Sequence, residues 1–240
     1  MRPDSPFYSV CFNVLRLSPL FSSLDEKTLQ DMLLHFHRET WMKNSPAMDS
    51  GQTIDRFYVI ISGRMKVCRI NPDTGRELTI FLLGPGDVFD VICLLDYQQH
   101  EVEVTAIDDL ETMCAPLGEV RDWIRQHPGF NRTFLPYLGN QIRSLEELAV
   151  DLTLHDTWTR LSRLIIRHID HKQHQNRLKL INDLSHEELA NLIGSARAVV
   201  NRHIQGLKKE GILEISRKHI EVKDLHSLLN KIEKRMGVRQ

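Results

Sequence analysis

Residues 184–204 carry the side chains best suited to chemistry with another molecule. Arg197, Asn201, Arg202, Gln205 and Lys208 are spaced to share one face of a helix, with Lys209 beside them. Arginine offers a paired donor fork that fits guanine in the major groove, and asparagine or glutamine fits adenine. Lysine brings a point charge suited to phosphate. Ser195, Ala196 and Ala198 are small, so a backbone can come close to that helix start. This is the chemistry of reading double-stranded DNA. No nucleophile–base arrangement, phosphate loop or metal-ligand spacing accompanies it, so an enzyme is not expected, nor a metal. His168, His171 and His174 recur every third residue, but in a polar stretch with no carboxylate or thiolate beside them, which reads as a solvated loop.

The elements that would position these residues are legible around them. Ser185 followed by Glu188 is a capping box that starts a helix, and Ser185 joins the DNA-facing set. Leu189, Leu192 and Ile193 give that helix an apolar face, and Gly194 breaks it at a tight turn. Ser195 is placed to cap a second helix, in which Val199, Val200, Ile204 and Leu207 face inward. Two short helices joined by a glycine turn form a helix-turn-helix. After Gly211, residues 212–215 and 220–222 read as two β-runs around a turn. That hairpin is a wing, with Arg217 and Lys218 as a cationic tip for the phosphate backbone.

Charge follows the same division. Residues 155–240 hold 17 Lys/Arg against 10 Asp/Glu, a net of +7, and residues 1–154 hold 14 against 22, a net of −8, which together give the whole-chain −1. A basic rear beside an acidic front suits a polyanion partner for the rear alone.

In front, residues 14–36 read as one helix: Leu15, Leu17, Leu20 and Phe21 lead into residues 23–26, and Leu29, Met32 and Leu33 recur at helical spacing. Between 40 and 115, short apolar runs alternate with glycine turns, the pattern of a β-sandwich, barrel or roll. Residues 117–126 read as a short helix, and about 130–153 as a long one. On it Phe134, Leu138, Gln141, Leu145, Leu148 and Leu152 are spaced 4, 3, 4, 3, 4, a heptad seam for a homodimer, with Ile142 beside it and Gln141 as its polar member. The expected architecture is α+β: a sensor domain over 14–128, a dimerisation helix over 129–154 and a winged helix-turn-helix over 155–240. A composition of 41% hydrophobic and 26% charged residues fits a globular chain. No apolar run nears the ~18 residues of a membrane span. No membrane partner is expected, and the default location is the cytoplasm. The four scattered cysteines read as thiols rather than a disulfide frame.

In this order the elements resemble the Crp/Fnr family of bacterial regulators, over about residues 14–228. The turns at Gly51, Ser62-Gly63 and residues 84–89 look like the family's cyclic-nucleotide-binding fold, and Ile193 to Arg197 with Asn201 and Arg202 is similar to its recognition helix. The resemblance implies base and phosphate contacts for Arg197 and Arg202, a palindromic operator, and RNA polymerase as a partner in activation. Where the family often has Glu, this chain has Ala198, which implies a different operator step.

The resemblance also frames the effector. Cyclic-nucleotide binders of the family use a Gly-Glu pair for ribose and an Arg-Ser or Arg-Thr pair for the cyclic phosphate. Here Phe89 is followed by Asp90, and the later position reads His100, Glu101, Val102, Glu103. The weak candidate pocket is Phe89, Asp90, Cys93, Glu101 and Val102, and its acidic groups argue against cyclic AMP. The iron–sulfur branch needs a cysteine cluster near the start, where only Cys11 lies. No cofactor is expected. The alternatives are a haem- or thiol-based gas or redox sensor, with Cys93, His35 or His37 as conceivable haem ligands and Cys68, Cys93 or Cys114 as the thiol, and a ligand- or protein-interaction module without DNA activity.

Overall fold

The computed structural model describes residues 1–48, 50–170, 178–216 and 219–237, without the side chains of residues 50 and 52. In chain order the elements are α1 (Tyr8–Leu17), α2 (Glu26–Leu33), β1 (His37–Trp41), α3 (Ser50–Thr53), β2 (Arg56–Ser62), β3 (Met65–Ile70), β4 (Glu77–Leu83), β5 (Val88–Phe89), α4 (Val91–Asp96), β6 (Glu103–Ala106), β7 (Leu110–Pro116), α5 (Leu117–Gln126) and α6 (Pro128–Leu154). Then follow α7 (Thr157–Arg167), α8 (His186–Leu192), α9 (Arg197–Lys209), β8 (Leu213–Ser216), β9 (His219–Val222) and α10 (Leu225–Met236). They form two compact units: Met1–Arg69 with Ile80–Ser144, and Ile70–Thr79 with Leu145–Gln240. The division falls inside α6 rather than at either of its ends.

The front unit has two antiparallel sheets, in the orders β1-β7-β2-β5 and β4-β3-β6. Strand β2 shows how the sequence builds them. Phe57, Val59 and Ile61 point to one face and pack with α1, α2 and α5, while Tyr58 and Ile60 point to the other and pack with Met65, Val67, Phe89 and Val104. Both faces are covered, so the run is continuously apolar rather than alternating. Gly63 turns β2 into β3 at φ +79°, and any Cβ there would lie 2.4 Å from the Asp109 carbonyl oxygen. Arg64 holds the neighbouring loop by a forked pair to Asp108, at 2.6 and 2.9 Å.

The single helix expected over 14–36 is two. α1 ends at Leu17, Ser18 is extended, and Ser18 donates its hydroxyl to the Gly86 carbonyl at 2.6 Å. Pro19 disfavours a helical Ser18, and Asp25 starts α2 afresh by accepting the Thr28 amide at 2.9 Å.

Two residues of the expected seam on α6 are engaged elsewhere. Phe134 is 3% exposed and stacks on Phe130 with ring centroids 5.6 Å apart, inside the front unit's own core. Gln141 donates to the Tyr137 hydroxyl at 2.9 Å on its own helix. Neither is a free seam residue. The exposed large apolar side chains of α6 are Leu135 (64%), Ile142 (67%), Leu145 and, at its very end, Leu154 (74%), with Leu138 half-buried between the first two. Leu135, Leu138, Ile142 and Leu145 are spaced 3, 4, 3, again a heptad pattern, which keeps Leu138 and Leu145 of the expected seam and has Leu135 and Ile142 in place of Phe134 and Gln141. The front core claims Phe134 in the first turns of α6, so that side chain is not free for a seam.

The rear unit packs α7 to α10 around Leu161, Leu164, Ile165, Val200, Ile204, Leu207, Leu228 and Ile232, all buried. β8 and β9 pair from Leu213↔Val222 to Ser216↔His219. His171 and His174 lie outside the described residues.

Candidate nucleic-acid interface

The rear unit is built around one rigid presentation. Ser185 and Glu188 form both halves of the capping box: the Glu188 amide donates to Ser185 Oγ at 3.2 Å, and the Ser185 amide donates to the Glu188 carboxylate at 2.7 Å. α8 then stops at Gly194, where φ is +59° and a Cβ would meet Leu152 Cδ2 at 2.6 Å. The Ser195 amide donates back to the Ala190 carbonyl at 2.9 Å. Ser195 does not cap α9. The N-cap is Ala196, extended and without a side-chain bond, because the αL turn at Gly194 places the helix start one residue later.

On α9 the two faces separate cleanly. Val200, Ile204 and Leu207 are buried, and Ala196, Arg197, Ala198, Asn201, Arg202, Gln205, Lys208 and Lys209 are exposed. Among the described residues, no hydrogen bond or ion pair occupies the side chain of Arg197, Asn201, Arg202, Gln205 or Lys208. Their donors are therefore open to a partner. The inward side is tied instead: His203 meets Thr157 at 3.1 Å, and Lys231 of α10 reaches Glu210 at 2.8 Å. Arg235 pairs with Asp156 at 2.8 Å and lies over the Trp158 ring. A cleft of about 460 Å³ runs beside Arg197, lined by Ser185, His186, Glu187, Ser216 and His219. Arg217 and Lys218, the expected wing tip, lie outside the described residues.

In the pocket expected in the front unit, several side chains are turned on one another. Asp90 is 1% exposed and caps α4, accepting the Ile92 amide at 3.0 Å. Its other oxygen accepts the Cys93 thiol at 3.2 Å and meets His100 Nδ1 at 2.8 Å. Phe89 packs against the His100 ring. Phe89, Asp90 and Cys93 thus come together, Val102 packs on the roll core, and Glu101 is exposed. The sequence reading missed His100 as a partner. Its signal was a histidine ten residues beyond a buried aspartate, across a segment with no regular period.

All four cysteines are free and buried. Burial, followed by the Asp90 carboxylate, pushes the Cys93 thiol up to about 11, and burial with Glu39 pushes Cys114 up to about 12. Burial also raises Cys11. Such thiols stay protonated and unreactive near neutrality. His35 pairs with Glu119 at 3.3 Å beside Trp123. Among the described residues no group of three or more His, Cys, Asp or Glu side chains is placed to hold a metal ion, and no helix is long and apolar enough to cross a membrane.

Comparison with known proteins agrees with this geometry. Residues 38–127 match the family model of the cyclic nucleotide-binding domain, and residues 159–231 that of the Crp-like helix-turn-helix domain. The chain is 24% identical over 217 residues to a CRP-like cAMP-activated global transcriptional regulator of Mycobacterium tuberculosis, covering 90% of this chain and 96% of the relative. It is 28% identical over 188 residues to the global nitrogen regulator of a Synechocystis strain, covering 77% and 83%. The fold matches a CooA mutant from Carboxydothermus hydrogenoformans (TM-score 0.71, 22% identity, 84% of this chain and 90% of that one). It also matches FixK2 from Bradyrhizobium japonicum (TM-score 0.71, 17% identity, 81% and 96%). With both domains present in this order, the chain belongs to the Crp/Fnr family of helix-turn-helix transcription regulators.

Proposed function

We propose that the chain is a homodimeric regulator that reads a palindromic operator through α9 and takes no cyclic AMP. One observation carries the DNA reading: the outer face of α9 displays Arg197, Asn201, Arg202, Gln205 and Lys208 without intramolecular partners, while Val200, Ile204 and Leu207 anchor the other face. The stripe of Leu135, Leu138, Ile142 and Leu145 supports pairing of two copies along α6, which would set two recognition helices one helical turn, about 34 Å, apart. The protein then acts on chromosomal DNA in the cytoplasm, with RNA polymerase as the partner in activation, and has no catalytic role.

The effector reading rests on Asp90. It follows Phe89 directly, where the Crp/Fnr resemblance expects a ribose-holding pair, and it is spent on Ile92, Cys93 and His100. At the later position, where the resemblance expects the cyclic phosphate to be held, Glu101 and Glu103 are exposed and would repel it. The raised thiols of Cys93 and Cys114 speak against redox sensing through those two residues.

In vitro selection from random duplexes, followed by calorimetry with cyclic AMP, tests both parts. The expected result is a palindromic consensus that Arg197→Ala no longer selects, and no heat of nucleotide binding. Enrichment of nothing above the random pool would remove the DNA reading. Saturable cyclic-AMP binding would remove the effector reading alone.

A further inference from the structure

The last turns of α6 do not only end a seam. Asp151 has a side chain 3% exposed, yet no residue of α6 satisfies it. One carboxylate oxygen accepts Arg163 Nε at 2.6 Å and the other accepts Arg167 Nη2 at 2.8 Å. Arg167 Nη1 also reaches Glu147 at 3.2 Å. Glu147 and Asp151 are four residues apart on α6, and Arg163 and Arg167 are four apart on α7, so the two helices present matched ridges of opposite charge. The very next residue, Leu152, is an apolar stop: its Cδ2 occupies the place a Cβ on Gly194 would need. Arg160 Nη1 and Leu78 Cδ1 lie 3.6 Å from that same point, and Arg76 donates to the Gly194 carbonyl. Consecutive residues of α6 thus grip α7 by charge and the turn before α9 by shape.

We propose that Asp151, with Leu152, is a positioning residue for operator recognition: it sets the angle between the dimer helix and the recognition helix without touching DNA. This rests on the DNA and dimer reading above. A buried carboxylate held by two guanidiniums has one good geometry, because any rotation of α7 about α6 breaks a charged bond inside the protein. Leu152 against a glycine with no side chain fixes the second point, and two points define the hinge angle. Neither contact holds the rear unit together, since Leu161, Leu164 and Ile165 still anchor α7 in its own core. Losing the grip therefore leaves a folded reading module whose orientation is no longer set.

The test uses the full-length protein and the selected operator, with the half-sites at their selected separation and moved apart or together by one base pair. The unaltered chain is expected to prefer the selected separation. Asp151→Asn keeps the shape and removes the charge. It is expected to lose about tenfold in affinity for the selected separation, to level the three spacings, and to bind random duplex as before. Asp151→Glu is expected to restore part of the spacing preference. Leu152→Ala, which keeps every charged pair, is expected to level the spacings as well, so the proposal does not depend on one variant folding. An Asp151→Asn protein with unchanged affinity and spacing preference overturns the proposal, as does a uniform loss at every spacing, which is the mark of a merely structural residue. Failure of the DNA reading is a different result: the unaltered protein would then prefer no duplex at all, and Arg197→Ala would change nothing.

Discussion

The front pocket and the outer face of α9 hold similar kinds of polar side chain and use them in opposite ways. Around Asp90 the buried carboxylate, the buried thiol of Cys93 and the partly buried ring of His100 are turned on one another. On α9 the guanidiniums and amides are exposed and, among the described residues, free of hydrogen bonds and ion pairs. A polar group already satisfied inside the protein offers little to a ligand, because binding would first have to break those bonds in a dry site. An exposed donor on a rigid helix has only water to lose. The comparison teaches that function in this fold is legible from which polar groups remain unspent, and here they lie at the rear.

The largest expected effect strikes the exposed side. Replacing Arg197 and Arg202 by Ala should each cost about 1–3 kcal/mol of operator affinity, measured by anisotropy at fixed salt, with little change in melting temperature. Loss of stability without loss of affinity would reverse the comparison. On the buried side, Asp90→Ala strips Cys93 and His100 of their partner and should cost about 2 kcal/mol of stability, roughly 5 °C in thermal melting, with operator affinity unchanged at temperatures where the protein stays folded. An unchanged melt would mean the pocket is not held by Asp90.

Lys208→Ala should act more gently. It should weaken binding to all sequences alike and lower the slope of log affinity against log salt by about 1. A sequence-dependent loss would make Lys208 a base reader. The smallest effect concerns acid. Burial lowers His168 below its ordinary value of 6.5, so the unfolded chain takes up its proton first as pH falls. Stability from this group is complete above 6.5 and declines below it, toward the depressed folded value. Denaturant melts between pH 7 and 5 should show the decline, and His168→Gln should flatten it. A stability that rises on acidification would contradict the sign.

Much of the rear unit could be read in advance, because its signals are local. Ser185 and Glu188 are three residues apart, Gly194 is a single-residue turn, and the apolar face of α9 repeats every three or four residues. The departures arise where distant residues decide. Phe134 has the right spacing for a seam, but Phe130 and the helices of the front unit claim it first. Ser195 is a good capping residue, yet the backbone after Gly194 starts the helix at Ala196 instead. Nothing local in the sequence marks Asp151, since its partners Arg163 and Arg167 lie across a helix break. His100 was invisible for the same reason, being joined to Asp90 only by the way the chain returns from α4 to β6. The helical break at Ser18 and Pro19 was local and readable, but the apolar residues on either side share a period that masks it.

The central claim is that two copies of α9 face the major groove of one palindromic duplex with no nucleotide bound. Dimethyl sulfate protection of the selected operator, with cyclic AMP absent, tests it most directly by reporting guanine N7 accessibility in that groove. The account predicts two symmetric protected windows about one helical turn apart, both lost when Arg197 and Arg202 are replaced. A single window, windows that appear only when cyclic AMP is added, or protection that survives the double replacement would contradict it.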